Sequence, residues 1–236
     1  MQFNLKSRLQ SLKLVSGLAT FLKNPESLEG VFAVSRSLQN STLSAQMFRH
    51  LLANPELAAL VQENWRPGAI DLDALLRLPE WSLGHVYAHQ LRSQGLTPDS
   101  LIDPTPVHSP EDYITHRLRE THDIVHVLTG FGTDRPGELG LQAFNHAQNR
   151  SPLAVMLIFG GMLSCLQNDE PLEDLLEALS RGFEMGLKAR CLIAQKLRTD
   201  GTAPWRSGAR RWICPPSKKV LSLINQKVFA ISLGLK

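Results

Sequence analysis

Residues Glu120–Phe144 read "ETHDIVHVLTGFGTDRPGELGLQAF". This stretch sets His122, Asp123 and His126 within five positions, passes Gly130, Gly132, Pro136 and Gly137, and reaches Glu138 at the head of another apolar run. It is either a metal site held across a helix–loop–helix or an ordinary helical turn with polar residues on its surface. In a helix each residue advances about 100°, so His122 and His126 lie about 40° apart on one face, with Asp123 about 60° from His126 on its flank. Imidazole nitrogen and carboxylate oxygen both suit zinc and similar divalent ions. The 11 residues between His126 and Glu138 let the chain reverse, bringing Glu138 back towards the histidines in a set of two imidazoles and two carboxylates. Spacing alone leaves the alternative open: Asp123 as a helix-surface acid, Gly130 as a C-terminal cap and Glu138 as a first-turn residue.

The rest of the chain reads as helix. "FNLKSRLQSLKLVSGLATFLKN" repeats apolar residues at Leu5, Leu9, Leu12, Leu18 and Leu22. Asn24-Pro25-Glu26 and Asn54-Pro55-Glu56 each stop one helix and open the next, because proline suits a first helical position. Asp71 is placed to cap the helix that carries Leu72, Leu75 and Leu76. "PEWSLGHVYAHQLRSQG" reads as a helix ended near Gly95, and the proline-rich "LTPDSLIDPTPVHSPED" as an extended connection. One long helix is then predicted from Ser109-Pro110-Glu111 through His126 to about Thr129, with Ser109 as cap and Glu111 and Asp112 against the positive end of its dipole. Another is predicted from near Glu138. "PLAVMLIFGGMLSCL" has 15 residues without a charge, short of the roughly 20 needed to span a bilayer; it reads as a buried core helix whose Gly160-Gly161 admits a close neighbour. "PLEDLLEALSRGFEMGLKARCLIAQKLR" reads as one amphipathic helix. Alternating strand patterns are nearly absent, so the chain reads as a single all-α domain over residues 1–236, without internal repeats.

Composition narrows the function. The apolar share of 43% and charged share of 20% are those of a globular protein. The N-terminus has no secretory-signal pattern, and Cys165, Cys191 and Cys214 are far apart without a CxxC pair, which fits a reducing cytoplasm and supports neither a disulfide framework nor a thiolate zinc site. Residues 1–180 hold 13 Lys+Arg against 20 Asp+Glu, a net of −7, whereas residues 181–236 hold 12 against 2, a net of +10. A basic tail can serve nucleic acid, an anionic membrane or an acidic partner. No zinc-finger, RNP-like or helix-turn-helix pattern favours nucleic acid. "KKVLSLINQKVFAISLGLK" suits either a helix lying on a membrane surface or a core-packing helix with a basic face.

The spaced pattern H-D-x-x-H, 11 residues, E, present as His122, Asp123, His126 and Glu138, resembles the signature of the coenzyme Q (ubiquinone) biosynthesis protein 4 family. So does the upstream "LPEWSLGHVYAHQLRSQGLTPD", with its Leu-Gly-x-x-Tyr and Thr-Pro-Asp elements. The resemblance covers about residues 15–195, leaving 196–236 as a basic C-terminal extension. It implies an all-helical protein of ubiquinone biosynthesis that holds a divalent metal at those four positions, zinc first with magnesium, iron, cobalt or manganese as alternatives, and takes a polyprenylated compound in an apolar lipid channel. It further implies oxidative decarboxylation of a polyprenyl-hydroxybenzoate, ring carboxylate giving way to hydroxyl, or else a scaffold for the other quinone-biosynthesis enzymes. A bacterial homologue starting almost directly with its domain is expected to be cytoplasmic, on the inner face of the membrane, and a homodimer. Arg117, Arg119 and Arg135 are candidates to hold an anionic group, against the alternative of surface arginines paired with Glu120, Glu111 or Asp134. His116 and His146 are candidates to orient the metal ligands. His85 and His89 read as part of a packed helix with Tyr87 and Trp81. A metal-dependent phosphohydrolase of the "HD" type is the weaker alternative, since its pattern does not use the close His126.

Overall fold

The structure is a computed structural model that describes residues 15–22, 28–68, 70–97 and 105–197. The expected Asn24-Pro25-Glu26 stop, most of the proline-rich connection and the basic tail beyond residue 197 lie outside the described residues. Every regular element among the described residues is a helix. In order they are α1 (residues 15–22 of it), α2 (Leu28–Leu38), α3 (Thr42–Leu52), α4 (Pro55–Glu63), α5 (Leu72–Leu76), α6 (Leu83–Ser93), α7 (Pro110–Glu120), α8 (His122–Thr129), α9 (Arg135–Asn149), α10 (Pro152–Gln167) and α11 (Glu173–Lys188), followed by a 3-10 turn, Leu192–Ala194.

The helix starts follow from local chemistry. Side-chain oxygens of Ser41, Asp71, Ser82, Ser109 and Ser151 each accept a hydrogen bond from a backbone N–H three residues on, satisfying one of the donors that a helix leaves open at its N-terminus. Asn54 accepts from the N–H groups of both Glu56 and Leu57, at 2.9 and 3.1 Å, as its Asn-Pro-Glu punctuation requires. At α7 the His108 backbone N–H and the Ser109 hydroxyl hold the Asp112 carboxyl below its usual pKa.

Three expected boundaries differ. The helix from Ser109 to Thr129 is divided at Thr121, whose hydroxyl donates to the Arg117 carbonyl at 2.7 Å while its own N–H donates to the same oxygen at 3.0 Å. Threonine back-bonding of this kind bends helices. The helix expected from near Glu138 already begins at Arg135, with Asp134 at the N-cap and Pro136 in its first turn. The amphipathic helix expected to run on to Arg198 stops at Lys188, because the apolar run that follows is buried as a 3-10 turn instead: Leu192, Ile193, Ala194 and Leu197 are all buried.

The contacts group the chain into two compact units, each built from two separate stretches. The described residues of the first are 15–22, 28–58 and 133–187. Its core joins Phe21, Val34, Leu38, Leu139, Leu157, Cys165 and Leu175, and α10 packs against α2, α3 and α9. The Gly160-Gly161 pair does admit close neighbours: a Cβ on Gly160 would overlap the Phe21 ring, and one on Gly161 would overlap Leu139. Yet α10 is not buried all round, because Val155, Phe159 and Leu166 are exposed on one side. No helix among the described residues is long and apolar enough to cross a membrane. α11 approaches α9 through Gly182 and Gly186, whose added Cβ atoms would meet the Gly140 carbonyl and the Phe144 backbone. The described residues of the second unit are 59–68, 70–97, 105–132 and 188–197. In its described part α5 packs on α6, and α8 packs on both α6 and α7.

The backbone contact at Gly182 sets a measurable cost. Gly182→Ala is expected to lower the unfolding free energy by about 1–3 kcal/mol through overpacking, whereas Gly68→Ala, with nothing within 4 Å of the new Cβ, stays within about 0.5 kcal/mol of the parent. Urea denaturation followed by circular dichroism reads both.

Candidate metal centre

The centre is built on α8. This helix ends where Gly130 takes a left-handed conformation, φ 73° and ψ 14°, which glycine adopts without steric cost. The Gly130 N–H closes on the His126 carbonyl at 2.9 Å. The turn brings the next carbonyl, that of Phe131, to 3.1 Å from His126 Nδ1. His126 itself is buried, at 2% exposure, and its Nε2 stands 3.2 Å from Nε2 of His122. The two rings are nearly perpendicular, at 88°. Glu138 lies in the first turn of α9, and one ligand atom from each of His122, His126 and Glu138 lies within 4.8 Å of the other two.

These residues fit a divalent ion. Two metal–nitrogen bonds of about 2.0–2.1 Å at a near-tetrahedral angle would place the nitrogens about 3.3 Å apart, close to the separation the two imidazoles already have. Two imidazoles and a carboxylate suit zinc and also manganese, iron or cobalt. Asp123 is half-buried in the first turn of α8 and is not part of the group of three; its place on the flank of the His122–His126 face, about 60° from His126 and 100° from His122, accounts for this.

The other candidates have different surroundings. Arg117 is buried at 2% exposure and donates to the carbonyls of Ile193 and Gln195, with Nη2 at 2.9 and 2.7 Å. Its guanidinium also lies 5.0 Å from the centre of the Trp65 ring. That is the work of a structural clamp on residues 193–195 rather than of a substrate anchor, and it differs from the surface ion pair that charge alone suggests. Arg135 is paired with Glu170 and lies 3.9 Å from Cys165 Sγ; Arg119 is exposed. His116 bonds to Arg66 at 3.2 Å and to Thr105 at 2.9 Å, and His146 bonds to the Ser151 carbonyl through Nδ1 at 3.2 Å. His85 donates from Nδ1 to the carbonyls of Leu76 and Leu78 at the end of α5. Its neighbour His89 is exposed, as is Trp81, which does not join the packing that Tyr87 does.

Trp65 and Arg66 were not legible as structural residues. Arg66 binds buried Glu120 at 2.7 Å, and the Trp65 carbonyl accepts from the Tyr113 hydroxyl at 2.7 Å, whose pKa burial raises. Lys196 stands 5.5 Å from the Trp65 ring centre and pairs with Glu63. Only the spacing of buried polar residues along α7, at His116, Arg117, Glu120 and Thr121, hints in the sequence at partners elsewhere.

The sequence model of coenzyme Q (ubiquinone) biosynthesis protein Coq4 matches residues 3–197. The chain belongs to the Coq4 family. Among Coq4 relatives, the mitochondrial ubiquinone biosynthesis protein COQ4 of Eremothecium gossypii is 28% identical over 184 residues, covering 76% of this chain. This chain spans about half of that relative's length, 56%. The mitochondrial COQ4 homologue of Bos taurus is 30% identical over 193 residues, 79% of this chain and 71% of its own length. A crystal structure from Nostoc punctiforme, of a protein proposed to act in ubiquinone biosynthesis, is 32% identical and superimposes with a TM-score of 0.77 over 86% of this chain and 97% of its own. The Coq4 family takes part in ubiquinone biosynthesis, which agrees with what the H-D-x-x-H…E pattern implies.

The structural assignment of Arg117 separates from the metal centre in one experiment. Arg117→Gln is expected to cost about 2 kcal/mol or more of stability by stranding buried carbonyls, while zinc affinity measured by calorimetry below the unfolding transition stays within about twofold of the parent, within the few tenths of a kcal/mol to which distant sites add.

Proposed function

We propose that this protein is a metal-dependent enzyme of ubiquinone biosynthesis that oxidatively decarboxylates a polyprenylated hydroxybenzoate. The observation that carries the reading is the convergence of His122, His126 and Glu138 ligand atoms within 4.8 Å. Three protein donors are fewer than a divalent ion accepts, and an open position is the mark of catalytic rather than structural sites. Asp123, the fourth residue of the H-D-x-x-H…E pattern, stands beside the group and would join it on a five- or six-coordinate ion, which still keeps a position open. Zinc is the first candidate, and magnesium, iron, cobalt or manganese the others. When bound, such an ion supplies Lewis-acid polarisation to a carboxylate or phenolate oxygen.

The chain's own residues supply orientation. His126 is fixed from both sides, by the Phe131 carbonyl and by His122. Around it Ile124, Val125, Val127, Leu128 and Thr129 are buried, so α8 offers little freedom for the imidazoles to turn away. In the reaction the bond between the ring and its carboxylate breaks and carbon dioxide leaves. A hydroxyl forms on the same carbon with its oxygen taken from water, which removes two electrons from the substrate; dioxygen accepts them with two protons and leaves as hydrogen peroxide. Arg135, half-buried and paired with Glu170, is the candidate for holding an anionic group, in exchange for that carboxylate. An apolar channel for the prenyl chain, cytoplasmic residence, homodimerisation and attachment to the inner face of a bacterial membrane belong to the same proposal. The exposed apolar side chains of α10, Val155, Phe159 and Leu166, support work beside a lipid surface.

A second reading is a prenyl-lipid-binding scaffold without its own chemistry, which organises the other quinone-biosynthesis enzymes. It is supported by the exposed Leu176, Phe183 and Leu187 of α11, which form a second apolar stripe at helical spacing.

Single-turnover assays decide between them. The metal-reconstituted protein is given a prenylated 4-hydroxybenzoate under air, and carbon dioxide release and ring hydroxylation are followed. The enzyme reading expects both products from the parent and a loss of at least about 100-fold in His122→Ala and Glu138→Ala, the upper range for lost metal support. No product from any prenylated acid, with lipid retained equally by parent and variants, would give the scaffold the weight.

A further inference from the structure

The α8 terminus does more than end a helix. We infer that the Gly130–Phe131 turn selects the proton position on His126, so that Nε2 is the nitrogen offered to the metal. The inference rests on the metal reading above and adds a positioning element to it. A backbone carbonyl can only accept a hydrogen bond. The 3.1 Å contact between His126 Nδ1 and the Phe131 oxygen therefore places the ring proton on Nδ1. In neutral imidazole the other nitrogen is then an acceptor. Nε2 of His126 carries a lone pair, directed at Nε2 of His122 3.2 Å away.

Nε2 is therefore the His126 nitrogen that would face an ion, and the backbone presets it without a further side chain.

Gly130 makes the preset possible. Its φ of 73° lies where side chains with a Cβ are strained and branched ones are outliers, while asparagine is tolerated. A residue with a Cβ here would strain the turn that carries the Phe131 carbonyl to His126. His126, buried at 2% exposure, has no solvent with which to replace it.

Full-length protein labelled with ¹⁵N-histidine, freed of metal, reads the tautomers by long-range ¹H–¹⁵N correlation, and zinc titration by calorimetry reads the affinity. The expected result is His126 protonated on Nδ1 before and after zinc. Gly130→Ala and Gly130→Val are expected to populate the Nε2-protonated form of His126 and weaken zinc by about 10–100-fold, with Gly130→Asn restoring both readouts. The asparagine rescue separates positioning from general destabilisation, and the alanine variant covers a valine variant that fails to fold. An Nε2-protonated His126 in the parent would overturn the inference, as would a folded Gly130→Ala whose tautomer and affinity match the parent. Nδ1 protonation with no zinc uptake would uphold the carbonyl's control of the ring and overturn the metal reading instead.

Discussion

The constraint that orders the second unit is the need to satisfy polar side chains on the buried face of α7. His116, Arg117, Glu120 and Thr121 are all nearly inaccessible, and a buried polar group without a partner costs about 1–3 kcal/mol. Each partner drawn in fixes another piece of chain. Arg117 holds the carbonyls of Ile193 and Gln195, and Arg66 reaches Glu120 and His116. His116 also holds Thr105, at the start of the described chain after the proline-rich connection. Thr121 turns inward onto Arg117's own carbonyl, which divides the long helix and lets α8 start afresh with His122 and Asp123 in its first turn. The direction in which the two imidazoles project thus depends on a hydroxyl that touches neither of them.

Much of this was readable from sequence. The caps at Asp71 and Ser109, the Asn54-Pro55-Glu56 break and the Gly160-Gly161 approach are local signals, and local chemistry decided them. The His122–His126 pairing follows from helical pitch alone. The end of α11 was not readable, because "ARCLIAQKLR" continues the amphipathic pattern; burial of Leu192, Ile193 and Leu197 and the Arg117 clamp prevail over propensity there, and neither is visible along one chain. The same reason hid Trp65 and Arg66, which lie about 50 residues from the helix they serve. Asp123 shows the limit of periodicity, since a residue on the flank of a face can be read into a site or out of it, and only coordinates show that three ligand atoms rather than four stand together.

Ubiquinone biosynthesis is the context of the Coq4 family to which the chain belongs. The atoms that could hold an ion at the candidate centre are two nitrogens and an oxygen, with no serine, cysteine or lysine among them to act as a nucleophile. Chemistry at such a point depends on how firmly the donors are held. In α8 that firmness comes from the packing of six consecutive buried residues, Ile124 to Thr129. Turning the His126 imidazole away would break its bond to the Phe131 carbonyl.

The division of the chain into two interleaved units has a consequence for its synthesis. The partners of α2 and α3 in the first unit, α9 and α10, are encoded only after residues 59–132 have been made, several seconds of translation at about 5–20 residues per second. Until then Val34, Leu38, Met47 and Leu51, which the finished fold buries, have no core to enter. The second unit waits as well, because the stretch that Arg117 clamps, Ile193–Gln195, is nearly the last of the described chain to leave the ribosome. A nascent chain of this kind holds open apolar surface for most of its elongation, so its yield in a cell depends on how long chaperones can shelter that surface before the last helices arrive.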